Sequence, residues 1–353
     1  MLRFYENTKI YVHCPSGMVT GGAELLHQLV SFLRENGRDA YIVYFGDEDY
    51  VVPSDYAKYT IALSNSVENE KQNIEVFYEG IFDVVNRYEH TQKFLWWISV
   101  DNFFYCAQSY LEPFDLFKFD VNLGWHWFWK RIKYSIRRKE NSFKDLLSIQ
   151  QLVDMDVVCG YQAEYIQHFL IHQGFREILP LKDYINTDHC QSFDVSKKED
   201  IILYNPNKGI TFTKKLIALA PDLEWVPLCG FTRNQLKGIM QRAKLYIDFG
   251  NHPGKDRLPR ECAMNGCCVI TGFRGSAGFF EDVPLLKDYK FDENHTPLSS
   301  IISSIRYVLA HYEDAIYDFQ FYRNKILLEK KEFEGQIIQI FQLNKLDYEK
   351  TIS

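Results

Sequence analysis

Short apolar runs rich in β-branched residues alternate with amphipathic stretches along this 353-residue chain. No other feature constrains the fold as strongly. A run that is apolar on both faces belongs inside a parallel sheet, and the chain must then return across that sheet as a helix. Runs at 9–13, 40–45, 59–63, 74–78, 94–100, 156–159 and 177–181 read as strands. The stretch 24–35 reads as a helix. Leu25, Leu26, Leu29, Val30, Phe32 and Leu33 form a broad apolar face, and Gly37 stops it. A polar break at 192–200 interrupts the series, which then restarts. Strands are expected at 201–204, 224–227, 244–249, 268–271 and 290–292, with helices at 214–220 and 235–243 and a largely helical tail from Leu298. One core rarely grows to this size. The expected fold class is therefore α/β, with two doubly wound domains facing across a cleft. The expected limits are 1–193 and 194–325, with a helical tail at 326–353 packing back on the first domain. Ligands of such sheets bind beyond the carboxyl ends of the strands.

Composition removes several other classes. Charged residues make up 25% and hydrophobic residues 46%, which excludes wholesale disorder. A net charge of −7 argues against bulk nucleic-acid binding. No run of apolar residues is long enough to span a bilayer, and the N-terminal stretch carries Glu6 where a secretory leader needs an apolar core. A cytoplasmic protein is expected. The eight cysteines are scattered, so they read as buried thiols. Cys262, Cys267 and Cys268 cluster, but no Cys-x2-Cys pair or histidine completes a zinc site, and no metal is expected.

Three segments carry chemistry. Gly21-Gly22-Ala23-Glu24 follows the first strand and opens the first helix. Glycines there let backbone approach a ligand closely, and helix-start amides favour an anion. A plain strand-to-helix turn would leave the same trace. Pro206-Asn207-Lys208-Gly209 follows the first strand of the second half and sets Lys208 at a strand end, where a diphosphate needs positive charge. A solvated lysine in a Pro-Asn turn is the bland alternative. The densest segment runs from Asp248 to Glu261. It combines a Gly/Pro loop, the cations Lys255, Arg257 and Arg260, and a helix opened by Pro259 with Glu261 in its first turn. Such a segment suits a nucleoside diphosphate, with Glu261 accepting from ribose hydroxyls. In the first half, Asp101 ends a buried run, where a carboxylate can orient or deprotonate a hydroxyl or simply cap a helix. His13 is a further candidate for the same role.

These segments together resemble the retaining family-4 type of GT-B glycosyltransferase. Gly21-Gly22-Ala23-Glu24 resembles that family's glycine loop, and Pro206-Asn207-Lys208-Gly209 its Pro-x-Lys-Gly turn. Leu258-Pro259-Arg260-Glu261 through Gly266, with Cys268-Val269-Ile270-Thr271, resembles its most specific signature. The resemblance implies two Rossmann-like domains and transfer of a sugar from a nucleotide-diphosphate donor to a glycan or lipid-linked acceptor. It also implies a role in capsule, O-antigen or exopolysaccharide synthesis, with no cofactor and no metal. Lys208, Lys255, Arg257 and Arg260 would face the diphosphate, Glu261 the ribose, and Asp101 or His13 the acceptor. Two departures stand out. Pro253 occupies the place of the family's first glutamate, and Ile202 that of an arginine six residues before the turn lysine. They leave a nucleotide-sugar epimerase and a non-catalytic binding protein open as alternatives.

The segment Trp125-His126-Trp127-Phe128-Trp129-Lys130-Arg131 sets aromatic rings beside a cationic run. Rings and cations of this kind suit a membrane interface with anionic lipid. Peripheral contact with the inner face of the plasma membrane is therefore expected through Trp125, Trp127, Trp129, Lys130 and Arg131. An aromatic core helix with a solvated basic end is the alternative.

Overall fold

A computed structural model describes residues 1–46, 52–81, 85–106, 124–125, 128–129, 149–155, 157–186 and 192–343. The chain divides into two compact units. The first comprises residues to Gln162, Ile166–Lys182 and the chain from Phe333 onward. The second comprises Ala163–Tyr165 and Asp183–Glu332. The division falls at Lys182/Asp183, where the sequence suggested 193/194, and the C-terminal segment joins the first unit from Phe333, where it suggested 326.

The first unit holds a six-stranded sheet in the order β2-β1-β3-β4-β5-β6. Its strands are β1 (Lys9–Pro15), β2 (Asp39–Phe45), β3 (Ile74–Tyr78), β4 (Gln92–Trp97), β5 (Val158–Tyr161) and β6 (Glu177–Pro180). Every pairing is parallel. The helix Gly21–Glu35 returns the chain from β1 to β2 and buries Leu25, Leu26, Leu29, Val30 and Leu33, as its periodicity predicts. Trp96 and Trp97 are fully buried in β4. The Trp96 indole N–H donates to the Leu181 carbonyl (2.8 Å), and its ring stacks on Phe333 at 6.2 Å. Phe94 meets Phe341 at 5.8 Å. The C-terminal segment thus completes the apolar face of this sheet.

The segment 59–63 is not a strand. Tyr59 closes a turn on Tyr56, and only Leu63 bridges to Ile42 beside β2. Its apolar pattern is spent on covering an edge rather than extending the sheet. The segment at 290–292 is likewise reduced to one bridge, Thr271 to Lys290.

The second unit holds a four-stranded parallel sheet in the order β10-β9-β7-β8. Its strands are β7 (Glu199–Tyr204), β8 (Glu224–Pro227), β9 (Ala243–Asp248) and β10 (Cys268–Thr271). Leu203, Tyr246, Ile247, Val269 and Ile270 are fully buried in its core. The chain leaves β7 toward β8 and later returns to pair β9 on the other side of β7. The switch point of this sheet therefore lies between the ends of β7 and β9. Cys262, Cys267 and Cys268 are free thiols buried in the same core. The Cys267 Sγ–H points at the Met240 and Ala243 carbonyls, each at 3.3 Å. Cys229 is exposed, contrary to its reading as a buried thiol.

Candidate functional site

In the second unit, the loops after β7 and β9 press against each other at the switch point. Gly209 has φ +61° and caps the helix Ile210–Leu219. A Cβ on Gly209 would meet the Phe249 carbonyl oxygen at 2.6 Å, and one on Gly250 would run into the Lys208 side chain. Only glycine lets the two loops approach this closely. Lys208 is thereby held at the end of β7, about one-third exposed, with its ammonium 2.7 Å from Asp256 Oδ2.

The loop after β9 is fastened at several points. Asp248 is buried and accepts from the Tyr246 hydroxyl (2.7 Å) and the Gly250 N–H (2.8 Å). The Ser276 N–H donates to the His252 carbonyl (2.8 Å), and the Ser276 hydroxyl to the Gly254 carbonyl (2.6 Å). His252 is fully buried. Its Nε2 lies 3.6 Å from Asp248 Oδ1, and its Nδ1 lies 4.0 Å from Asp256 Oδ2. Burial favours the neutral ring, but the two carboxylates outweigh it and raise the His252 pKa.

Asp248, His252 and Asp256 bring their ligand atoms within 4.8 Å of one another, a set that suits a divalent ion by composition. The arrangement already answers that negative charge. Lys208 sits on Asp256, and the two ring nitrogens of His252 face different carboxylates.

Lys255 and Arg260 are drawn inward. The Arg260 guanidinium is fully buried. It donates to Asp183 Oδ2 (2.7 Å), Glu329 Oε2 (2.9 Å) and the Lys255 carbonyl (2.7 Å). The Lys255 ammonium pairs with Glu329 Oε1 at 2.6 Å. Burial pushes the Asp183 carboxyl up, but the Arg260 and Lys255 charges outweigh it and leave it below the usual range. Of the five residues read as donor-binding, Lys208, Arg257 and Glu261 keep side chains that reach the surface, while Lys255 and Arg260 have theirs engaged by carboxylates. Arg257 and Glu261 both stand on the helix Arg257–Met264, whose N-cap is Asp256; it opens two residues before Pro259, where the sequence suggested Pro259 itself, so Glu261 lies beyond the first turn rather than in it.

In the first unit, all strands are parallel, so the segments after β1, β3 and β4 emerge on one sheet edge. Thr20 caps the helix that begins at Gly21, accepting from the Ala23 N–H (3.2 Å). Gly22 has an ordinary φ, and a Cβ there would meet nothing within 4 Å. The fold itself does not require glycine at this position. Asp101 lies half-buried in the first turn of the helix Val100–Cys106. The cap there is Ser99, whose Oγ accepts from the Asn102 N–H (3.1 Å). His13 is buried, stacked on Phe77 at 4.5 Å and 2.8 Å from Glu75 Oε2. Glu75 also holds Lys93 and Thr91, so His13 belongs to a closed polar network.

Sequence reasoning missed Glu79. It follows β3 and is almost wholly buried, accepting from the Ile98 N–H (2.8 Å) and the Asn102 amide (3.0 Å). Burial raises its carboxyl to about 7. A lone glutamate after a strand carries no local sign of this.

Trp125 and Trp129 are 51% and 63% exposed. Phe128 packs edge-on against both, at 5.6 and 5.8 Å. Trp127, Lys130 and Arg131 lie outside the described residues. No helix among the described residues is long and apolar enough to cross a membrane.

No family model and no curated protein matches the sequence. Solved structures do match in shape. Sucrose-phosphate synthase from Thermosynechococcus elongatus superposes with a TM-score of 0.60 at 10% identity, covering 98% of this chain and 100% of that one. The chain has the GT-B fold. The lipopolysaccharide outer core galactosyltransferase WaaB matches with a TM-score of 0.58 at 10% identity, over 95% of this chain and 99% of that one. HepE from Anabaena in complex with UDP matches with a TM-score of 0.56 at 8% identity, over 98% and 99%. At such identities the likeness is one of fold. It confirms the two Rossmann-like domains expected from the alternation of strands and helices.

Proposed function

We propose that this protein is a glycosyltransferase. It moves a sugar from a nucleotide-diphosphate donor to a glycan or lipid-linked acceptor in cell-envelope polysaccharide synthesis. The observation that carries the reading is the switch point of the second sheet. There a partly exposed lysine stands at the end of β7, and the next loop opens a helix bearing Arg257 and Glu261. Lys208 and Arg257 counter the diphosphate, and Glu261 accepts from the ribose hydroxyls. Charge stabilisation of the departing diphosphate supplies most of the rate. Lys255 and Arg260 hold the loop in shape, because their charges are already met by Glu329 and Asp183. The backbone at Gly21 and Gly22 approaches the acceptor. Asp101 orients the acceptor hydroxyl, while His13 is tied to Glu75 and supports that edge from below. Transfer is metal-independent and retaining. The protein works in the cytoplasm at the inner face of the plasma membrane. HepE was captured with UDP, so a uridine diphosphate donor is the first to test.

The test is a thermal-shift series with UDP, GDP, dTDP, CDP and CMP, with and without Mg²⁺. A ligand at about 100 times its Kd adds roughly 2.7 kcal/mol, enough to move Tm by degrees. One nucleoside diphosphate should shift Tm without metal, and Arg257→Ala and Glu261→Ala should abolish the shift while remaining folded. Wild-type turnover in both variants would overturn the site. A new sugar isomer in donor-only incubations would favour an epimerase, and no shift with any nucleotide a non-catalytic protein.

A further inference from the structure

The loop between β1 and the helix Gly21–Glu35 owes little to its own packing. Gly17 turns the chain with φ +66°, in the region that favours glycine, and Met18 and Val19 stand 50% and 48% exposed. The Ser16 N–H donates to the Phe45 carbonyl (3.0 Å). Beyond Ser16, among the described residues, one hydrogen bond reaches the stretch 17–19. It joins the Met18 carbonyl to the hydroxyl of Tyr56 (3.2 Å). Tyr56 is buried, in the turn Ser54–Tyr56, 38 residues along the chain from Met18. The same hydroxyl meets Thr20, which caps the helix. The Thr20 N–H donates to it at 3.1 Å, and the Thr20 carbonyl lies 3.2 Å away. A phenol has one proton to give. The Thr20 carbonyl already accepts from the Glu24 N–H (3.0 Å), so the proton goes to Met18. One hydroxyl thus takes a bond from the cap residue and gives one to the exposed turn.

The ring that carries this hydroxyl is itself held. It stacks on His27 at 4.2 Å. His27 is fully buried, and burial lowers its pKa and keeps its ring neutral. Its Nδ1 faces the Ala23 carbonyl at 2.7 Å and so carries the ring proton. Its Nε2 then accepts from the Tyr44 hydroxyl of β2 (2.7 Å). Tyr56 is therefore braced against both β2 and the first turns of the helix. A backbone that meets a ligand works best when its shape is fixed before the ligand arrives. This loop leaves its own apolar side chains in solvent, so burial does not fix its shape. The Tyr56 hydroxyl does.

We propose that Tyr56 is a positioning residue for the acceptor: its hydroxyl holds Met18 and Thr20 so that the Gly21–Gly22 backbone is presented to the acceptor in a fixed shape. The role rests on the glycosyltransferase reading above, in which that backbone meets the acceptor. The test is Tyr56→Phe, which deletes the hydroxyl and keeps the ring on His27. In the full-length protein, hydrogen–deuterium exchange of the amides at 17–22 should quicken roughly tenfold. Transfer is measured from UDP-, GDP-, dTDP- and CDP-glucose to octyl glucoside, octyl galactoside and octyl mannoside. The acceptor KM of Tyr56→Phe should rise roughly tenfold, while kcat and the Kd for the nucleoside diphosphate stay unchanged. Tyr289→Phe is the control. It deletes a buried hydroxyl that donates to Asp318 in the second unit, and it should lower Tm without moving KM. An unchanged KM in Tyr56→Phe overturns the role, whether or not exchange quickens. So does a loss shared among KM, kcat and nucleotide affinity, or an equal rise of KM in Tyr289→Phe. A wild type that transfers none of these sugars overturns the glycosyltransferase reading, and the role with it.

Discussion

Replacing Arg260 by methionine separates a buried structural cation from a ligand-facing one. The guanidinium is fully buried and bridges Asp183 at 2.7 Å and Glu329 at 2.9 Å. Glu329 would keep Lys255 at 2.6 Å. Asp183 would keep no comparable partner, since its other oxygen already lacks a hydrogen bond. Removing one partner of a buried ion pair costs about 3–5 kcal/mol, because the remaining charge is stranded. That is a large share of the 5–15 kcal/mol typical of a folded domain. At about 2–4 °C per kcal/mol for a unit of this size, Tm should fall by roughly 10 °C. The loss should also depend on pH. In the wild type the Asp183 carboxyl is held below its ordinary value. Its stabilisation is therefore present above the unfolded pKa and disappears as pH falls through the folded one. In Arg260→Met the stranded carboxyl takes up a proton more readily, so the deficit should shrink from pH 7 toward pH 4. Urea and thermal unfolding of both proteins, followed by circular dichroism at several pH values, would measure this. Adding Asp183→Asn to Arg260→Met should recover part of the deficit. The reasoning is refuted if Arg260→Met stays within 1 kcal/mol of wild type at pH 7 while nucleotide binding disappears.

Three further outcomes are expected. Glu79, raised to about 7 by burial, favours the folded state below pH 4.5 and loses that contribution as pH rises to 7. Glu79→Gln should therefore gain about 3 kcal/mol at pH 8 and nothing at pH 4, and equal stability at pH 8 would disprove the shift. Gly22→Ala meets open space, so it should fold with wild-type stability or up to about 1 kcal/mol more; a ligand seated on that backbone would make transfer fall all the same. Vesicles containing anionic lipid should capture the protein, and joint replacement of Trp125, Trp127 and Trp129 by alanine should release it, with equal capture of both forms counting against the interface.

Much of this protein is decided by local pattern. Runs such as 94–97 and 268–270 are apolar on both faces and too short for helices, so they have no stable place except inside parallel sheets. Lys208 was legible because a Pro-Asn-Lys-Gly turn after a strand can only put its lysine at the sheet edge. The helix that carries Glu261 was legible from Pro259, but it opens two residues earlier, at Arg257, so Glu261 stands beyond its first turn. The sequence could not show which cations remain available. Arg260 meets Asp183 and Glu329, 77 and 69 residues away, and Lys208 meets Asp256, 48 residues away. Charges pair through space, and spacing along the chain carries no record of partners that distant. The same holds for Glu79, whose raised carboxyl depends on what buries it. It holds too for residues 59–63, whose strand-like pattern covers an edge because a turn at Tyr56 has already set their course. Periodicity determines which elements form and which faces they bury. Only tertiary packing decides whether a given charge meets a carboxylate or a ligand, because the energy of a charge is set by its surroundings in three dimensions.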